Sequence, residues 1–216
     1  ATGGRQANDF RRLEMVSPYG QSSTQLDATY EQLNAALGFK TSPVTGLWFN
    51  IYGGYQDLKN NLASAAIANY SGSYLQLLQG NMHNIYAGAE ASYSYKDIIS
   101  FTASGIYRDW KTAKTENNSG DQLLYYMPSF EANFKVDIRP VSSVLINLGY
   151  QHITREKIGN ERVDPVGNLY LGGSYEVFEG ISIYVRANNL LNKDYQYYPG
   201  YPTEGINFMG GVSFRF

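Results

Sequence analysis

The run Ile206-Asn207-Phe208-Met209-Gly210-Gly211-Val212-Ser213-Phe214-Arg215-Phe216 separates into two sets. Ile206, Phe208, Gly210, Val212, Phe214 and Phe216 share one parity, and Asn207, Met209, Gly211, Ser213 and Arg215 share the other. A strand sends alternate side chains to opposite faces. The run is therefore a strand with one apolar and one mostly polar face. A soluble sandwich and a membrane-spanning barrel both use such strands, and the remaining chain chooses between them.

The same alternation recurs upstream. Leu33, Ala35, Leu37 and Phe39 oppose Asn34, Ala36, Gly38 and Lys40, and Leu47, Phe49, Ile51, Gly53 and Tyr55 oppose Trp48, Asn50, Tyr52, Gly54 and Gln56. Ile85 to Tyr95 continues it with Glu90 on the polar side, followed by Ile99, Phe101, Ala103, Gly105 and Tyr107. The clearest case sets Phe130, Ala132, Phe134, Val136 and Ile138 against Glu131, Asn133, Lys135 and Asp137. Val144 to Gln151, Asn168 to Val177 and a strand from Ile181 complete the series. With the end of a first strand in Ala1 to Ala7, the reading is all-β with about ten strands. Tight turns fall at Thr41 to Gly46, Lys96-Asp97, Arg139 to Ser142 and Phe178-Glu179-Gly180, where Pro, Gly and Ser or Asp concentrate. Long connections are expected at Asn8 to Asp27, Asp57 to Asn81 and Lys111 to Asp121, with loops at Glu156 to Val163 and around Tyr195 to Tyr201. The alanine-rich Leu62 to Ile67 reads as a short helical turn inside the second of them.

Long and short connections thus alternate, and every short one lies at the end where Phe216 lies. Outer-membrane barrels have short periplasmic turns and long outer loops; a Greek-key sandwich has no reason to keep that alternation. The polar parity carries Lys40, Glu90, Arg108, Glu131, Lys135, Asp137, Glu176, Arg186 and Arg215. Closed inside a soluble protein, each unpaired charge would cost several kcal/mol. A wet or protein-filled lumen removes that cost, and closure pairs the backbone amides that hydrocarbon cannot satisfy. The expectation is an antiparallel transmembrane β-barrel.

Bulk composition agrees. The 216 residues are 43% hydrophobic with no apolar run long enough for a membrane-spanning helix, but spanning strands need only about 9–11 half-apolar residues. Twenty tyrosines, ten phenylalanines and twenty-two glycines are the unusual figures, and aromatics favour both strands and membrane interfaces. Seventeen basic against nineteen acidic residues give no sign of a nucleic-acid partner. The absence of cysteine excludes disulfides and thiolate metal sites. Ala1-Thr2-Gly3-Gly4 reads as the tail of a strand begun earlier, so a longer precursor is expected.

Three segments carry a resemblance: Ala1-Thr2-Gly3-Gly4 with Ser17-Pro18-Tyr19; Val185-Arg186-Ala187-Asn188-Asn189-Leu190-Leu191-Asn192-Lys193-Asp194-Tyr195; and Tyr198-Pro199-Gly200-Tyr201-Pro202 through Gly205 to Phe216. Together they resemble the barrel end of TonB-dependent outer-membrane receptors, especially those of Bacteroidetes-type bacteria. The resemblance implies a 22-strand barrel plugged by an N-terminal domain, with residues 1–216 as its carboxyl-terminal portion and no plug domain present. It further implies import of a large or scarce nutrient across the outer membrane of a Gram-negative cell, powered by TonB through the missing N-terminal part. The partners that follow are outer-membrane lipid, the remaining barrel and plug, the barrel-assembly machinery and a surface lipoprotein. The alternative is a passive porin or a structural barrel subunit of an outer-membrane assembly.

Candidate sites are weighed on the same terms. Phe214 and Phe216 resemble the signal read by the assembly machinery, and they also suit membrane anchoring. Tyr195, Tyr197, Tyr198 and Tyr201, with Trp110 near another loop, are candidate ligand contacts or an interfacial girdle. Arg108, Glu131, Lys135, Asp137, Arg186 and Arg215 are expected to face the lumen. The pairs Gly53-Gly54, Gly172-Gly173 and Gly210-Gly211 sit within strands, where glycine permits bending or close approach of a plug or neighbouring strand. Glu131 and Asp137 are about 20 Å apart by strand rise, too far for a catalytic pair. His83 and His152 supply too few ligands for a metal. The reading is a non-enzyme with no cofactor.

Overall fold

The computed structural model describes residues 2–5, 12–17, 20–25, 27–69, 72–112, 124, 127–156, 163–198 and 201–215, with side chains over 27–61, 79–112, 124, 127–156, 163–197 and 202–215. Strands occur in the order β1 (Thr2–Arg5), β2 (Arg12–Ser17), β3 (Gly20–Gln25), β4 (Tyr30–Val44), β5 (Leu47–Asn69), β6 (Gly72–Tyr95) and β7 (Ile99–Thr112). Then follow β8 (Pro128–Ile138), β9 (Val144–Arg155), β10 (Val166–Phe178), β11 (Ile181–Asn188), β12 (Gln196–Tyr198), β13 (Tyr201–Pro202) and β14 (Asn207–Phe214). Ten of them form one sheet, β1-β4-β5-β6-β7-β8-β9-β10-β11-β14, in which every pairing is antiparallel. Strand number and order match the sequence expectation. The order does not return from β14 to β1, so the sheet is an open wall.

Four tight turns lie at one end of this wall. Each is stitched to the next hairpin by a backbone hydrogen bond: Ser94 to Gly46, Arg139 to Ile98, Glu176 to Ser143 and Arg215 to Gly180, at 2.8, 2.6, 2.8 and 2.7 Å. Lys96 and Asp97 both adopt positive φ, 49° and 55°, the geometry of a hairpin turn whose twist matches its strands. The opposite end carries the longer connections, together with the close reversal from β5 to β6. Two contain small hairpins of their own, β2–β3 and β12–β13.

One expectation fails. Residues 57–81 form no long connection, and Leu62 to Ile67 is no helical turn. Instead β5 runs to Asn69 and pairs residue by residue with β6 from Gly72, Ala65 facing Gln76 and Ala63 facing Leu78. Alanine favours helix by only tenths of a kcal/mol per residue. A lone helical turn is costly to nucleate, whereas an extended ladder already in register pairs each further amide. A bulge interrupts the register between Leu58 and Asn61, with Asn60 at φ 54°. Thr29 Oγ1 donates to Asn60 O (2.6 Å), and Asn60 N donates to Asn81 Oδ1 (3.1 Å). The long polar connection expected at Asn8 to Asp27 contains the β2–β3 hairpin.

Register joins the apolar parities into one continuous face. Ile51, Ala89, Gly105, Ala132 and His152 lie in one cross-strand row, and Phe49, Ala91, Ala103, Phe134 and Tyr150 in the next. Among the described residues only Met82, Trp110, Ala132, Val166 and Tyr195 are buried apolar groups, whereas Leu37 is 87% and Phe208 74% exposed. A contiguous exposed band of this kind marks a surface that meets lipid or another protein. β7, β9 and β10, at 14, 12 and 13 residues, exceed what a tilted strand needs to cross hydrocarbon.

Candidate functional site

The polar face is assembled by the same register. Asn50, Glu90, Ser104, Asn133, Gln151 and Asn168 form a single row across six strands, β5 to β10. Period-2 alternation puts each on this face, and antiparallel pairing puts them side by side. Toward the loop end, Glu31 accepts hydrogen bonds from Asn34 Nδ2 (3.0 Å) and Gln56 Nε2 (2.6 Å), Asn84 Nδ2 donates to Gln56 Oε1 (2.8 Å), and Tyr86 Oη donates to Asn34 Oδ1 (2.8 Å).

The charges expected on the polar parity are largely engaged within the wall. Arg108 and Glu131, from neighbouring strands, form a close ion pair. Lys135 Nζ lies 2.8 Å from Asp137 Oδ2, a pair two residues apart on one strand. Arg186 stacks 4.0 Å above the Tyr170 ring while its Nε donates to Asn188 Oδ1 (2.8 Å). Lys40 sits 4.7 Å from the Trp48 ring centre. Arg215 continues the polar parity of β14, beyond Asn207, Met209, Gly211 and Ser213.

Glycines on this face are seats for tyrosine rings. A Cβ at Gly54 would come within 2.6 Å of Tyr86 Oη, and one at Gly211 within 2.6 Å of Tyr184 Oη. Tyr52 lies against Gly88 and Tyr170 against Gly149 in the same way. In Gly53-Gly54 and Gly210-Gly211 the second glycine thus accommodates a ring from the adjacent strand. Gly172 instead meets the Asn147 side chain.

At the loop end, the Asn188 to Tyr195 run is a polar knot. Asn189 is 1% exposed and at φ 50°. Its Nδ2 donates to the carbonyls of Lys193 (2.9 Å) and Glu204 (3.1 Å), and its Oδ1 accepts from Lys193 N (3.1 Å). Asn192 N bonds back to Asn189 O (2.8 Å), closing the turn. The knot folds β12 over the polar face. Tyr197 Oη donates to Gln151 Oε1 (2.7 Å), and Arg155 Nη2 donates to the carbonyls of Gln196 and Tyr197, both at 2.9 Å. The Tyr195 ring is 4% exposed and edge-on to Tyr197 at 5.4 Å. Burial, with Tyr197 beside it, pushes the Tyr195 phenol up to about 12.

Trp110 is not at a loop surface. It lies at the end of β7, 7% exposed, packed with Met82, Leu58, Leu124 and Met127, and its indole N–H donates to Pro128 O (2.9 Å). Trp110 and Tyr195 therefore hold connections down onto the wall and have little ring surface left for a ligand. Tyr198 and Tyr201 are paired through their backbones in β12–β13, and their side chains lie outside the described residues. Phe214 points to the apolar side, 60% exposed; Phe216 lies outside the described residues. His83 sits 5.8 Å from the Tyr55 ring, and His152 stacks on Tyr150 at 6.3 Å, on β6 and β9, which are three strands apart in the sheet. Sequence reading missed the amide network, although Asn34, Gln56, Asn84, Gln151 and Asn168 all fall on the polar parity and were the available signal.

An open antiparallel wall with one apolar face, one hydrogen-bonded polar face and four tight turns gathered at one end has the form of a segment of a large β-barrel. The solved structures it matches are barrels of TonB-dependent outer-membrane receptors. The copper transporter OprC superposes with a TM-score of 0.66 at 17% identity, over 89% of this chain and 32% of that one. The FrpB iron transporter from Neisseria meningitidis gives 0.64 at 16% identity, over 88% and 32%. The ferric enterobactin receptor PfeA from Pseudomonas aeruginosa, as a G324V mutant, gives 0.63 at 17% identity, over 88% and 32%. At these identities the likeness is one of fold. This chain spans about a third of the length of the structures it matches. No family model and no curated protein sequence matches it.

Proposed function

We propose that this chain is part of the barrel wall of an outer-membrane receptor that imports a scarce or large nutrient in a Gram-negative cell, using energy delivered by TonB. The observation that carries the reading is the division of solvents between the two faces. The Phe49–Phe134 side is bare and apolar, while the side of Arg108, Glu131 and Gln151 is polar and hydrogen-bonded. Lipid would meet the first, and a plug domain or passing ligand the second, with Arg108, Glu131, Lys135, Asp137, Arg186 and Arg215 lining the lumen. The remaining barrel, the plug and the TonB contact would lie outside residues 1–216. The assembly machinery would read the last strand through Phe214 and Phe216, and a surface lipoprotein would meet the loop end. The outer-membrane receptors and transporters sharing the fold support a transport role and a non-enzymatic one.

The test is nutrient-dependent growth and uptake by cells with and without TonB. Uptake that stops on removal of TonB supports the receptor. Ungated conductance of the purified protein in planar bilayers, with uptake unaffected by TonB, would favour a passive pore.

A further inference from the structure

The apolar face changes character at one level. On β5, β6 and β7 it is uncharged from the turn end up to Tyr55, Ile85 and Tyr107. The stretch Leu47 to Tyr55 has about the length a tilted strand needs to cross hydrocarbon. Beyond it the same parity turns polar at once. Asp57, His83 and Lys111 stand abreast in one cross-strand row. Lys59 Nζ lies 3.0 Å from Asp57 Oδ2, and Lys111 Nζ lies 2.9 Å from Asp109 Oδ1. The side chains of the second pair are 62% and 48% exposed. Leu58, Met82 and Trp110, on the opposite parity of the same strands, pack together, so the charged belt belongs to the outward face. Below it is a shallow trough whose floor is Ala89, Ala103, Gly105 and Ala132, between Phe49 and Phe134.

Charge on a lipid-facing parity is costly near the midplane and tolerated at the interface, so the belt marks the level of the headgroups. An ammonium carries three donors, and one aspartate oxygen occupies one of them; the others suit phosphate oxygens. The carboxylates would repel a bare phosphate. A divalent cation removes that conflict, because such ions are held by one or two carboxylates together with phosphates. From His83 to Ala89 is about 20 Å of strand, or about 14 Å of depth at a 45° tilt, close to half of the ~30 Å hydrocarbon core. An acyl chain whose headgroup sits at the belt therefore ends in the trough. The outer leaflet of a Gram-negative outer membrane is phosphorylated glycolipid with divalent counter-ions. We propose that the outward face of β5, β6 and β7 holds one such glycolipid. Its phosphates meet Lys59 and Lys111 directly and Asp57 and Asp109 through a shared divalent cation, and one of its chains lies in the trough. The choice of leaflet rests on the receptor reading, which puts the loop end at the cell surface.

The test uses the native protein that contains this chain, purified whole in detergent and stripped of lipid. It is titrated with purified lipopolysaccharide in magnesium chloride or in EDTA, and bound lipid is counted by native mass spectrometry. Diacylglycerol, which has chains without phosphate, and inorganic phosphate, which has no chains, are the comparison probes. The expected result is tight binding of one lipopolysaccharide at this face, weakened about tenfold by EDTA, with each comparison probe at least about tenfold weaker. The double variant Lys59→Gln/Lys111→Gln should weaken binding about tenfold in both solutions, the effect of lost hydrogen bonds to a charged group. Asp57→Asn/Asp109→Asn should abolish the difference between magnesium and EDTA. Ala89→Trp, which fills the trough, should also weaken binding about tenfold, while Lys96→Gln at the turn end leaves it unchanged. Diacylglycerol bound as tightly as lipopolysaccharide, phosphate bound as tightly without chains, or lipopolysaccharide binding indifferent to EDTA and to the belt variants overturns the proposal. No retained glycolipid together with TonB-dependent uptake would defeat the lipid site and leave the receptor standing. Glycolipid binding at the belt with TonB-independent uptake would do the reverse.

Discussion

Replacing Asn189 by alanine should release the β12–β13 hairpin while leaving the wall intact. The side chain is buried and makes three hydrogen bonds, two to the carbonyls of Lys193 and Glu204 and one from Lys193 N. At about 1 kcal/mol net for each, their loss weakens the knot by about 3 kcal/mol. Alanine at φ 50° adds about 1 kcal/mol of backbone strain. The local opening equilibrium should therefore rise by two to three orders of magnitude, on the order of 1.4 kcal/mol per tenfold. Asn189→Gly removes the bonds but tolerates the left-handed backbone, so its increase should be about fivefold smaller. The assay is hydrogen exchange of the segment 189–197, read by mass spectrometry on whole protein in detergent, with segment 130–138 as internal reference. Unchanged exchange at 189–197 in the alanine variant would refute the assigned role of the knot. Equal acceleration of both segments would refute its being local.

Four shorter tests follow. Phe134→Arg, on the outer band, should destabilise the folded protein in bilayers by about 2–4 kcal/mol if that residue lies near the midplane, while Asn133→Arg on the other face should cost less than about 1 kcal/mol; nitroxide labels at the two positions should respond to oxygen and to polar quenchers respectively. Gly211→Ala forces the Tyr184 ring off its seat and should cost about 1–3 kcal/mol, with most of it recovered in the Gly211→Ala/Tyr184→Ala double variant, as read by thermal melts. Because the folded Tyr195 phenol is pushed up to about 12 from an ordinary value of 10.0, the stability it contributes is fully present below pH 10 and is lost as pH rises toward 12; the difference in absorbance titration between wild type and Tyr195→Phe should place its ionisation in that window. Phe214→Ser should lower the yield of assembled protein in the outer membrane without reducing synthesis, as read by fractionation and immunoblot.

Much of the wall was legible along the chain because a strand's side-chain period is two. Phe130 to Ile138 declares its two faces without reference to any partner, and Lys96-Asp97, Arg139 to Ser142 and Phe178-Glu179-Gly180 mark their turns locally. Segment 57–81 was not legible. Its alanines are compatible with helix or strand, and only the pairing of Asn61 to Asn69 with Gly72 to Gly80 settles which one forms. Trp110 and Tyr195 were likewise read as loop aromatics because exposure depends on what folds over a residue, here Leu124 and Met127 over Trp110 and the Asn189 knot around Tyr195.

Taken alone, the order of residues determined the all-β class, which parity meets the apolar side and where the four tight turns reverse the chain, since each of these depends on neighbours one to four positions away. Tertiary structure decided which residues stand abreast. Gln151 beside Asn133, Tyr86 on Gly54 and Arg108 against Glu131 depend on register between strands, and a shift of a single residue would turn every one of those side chains to the other face.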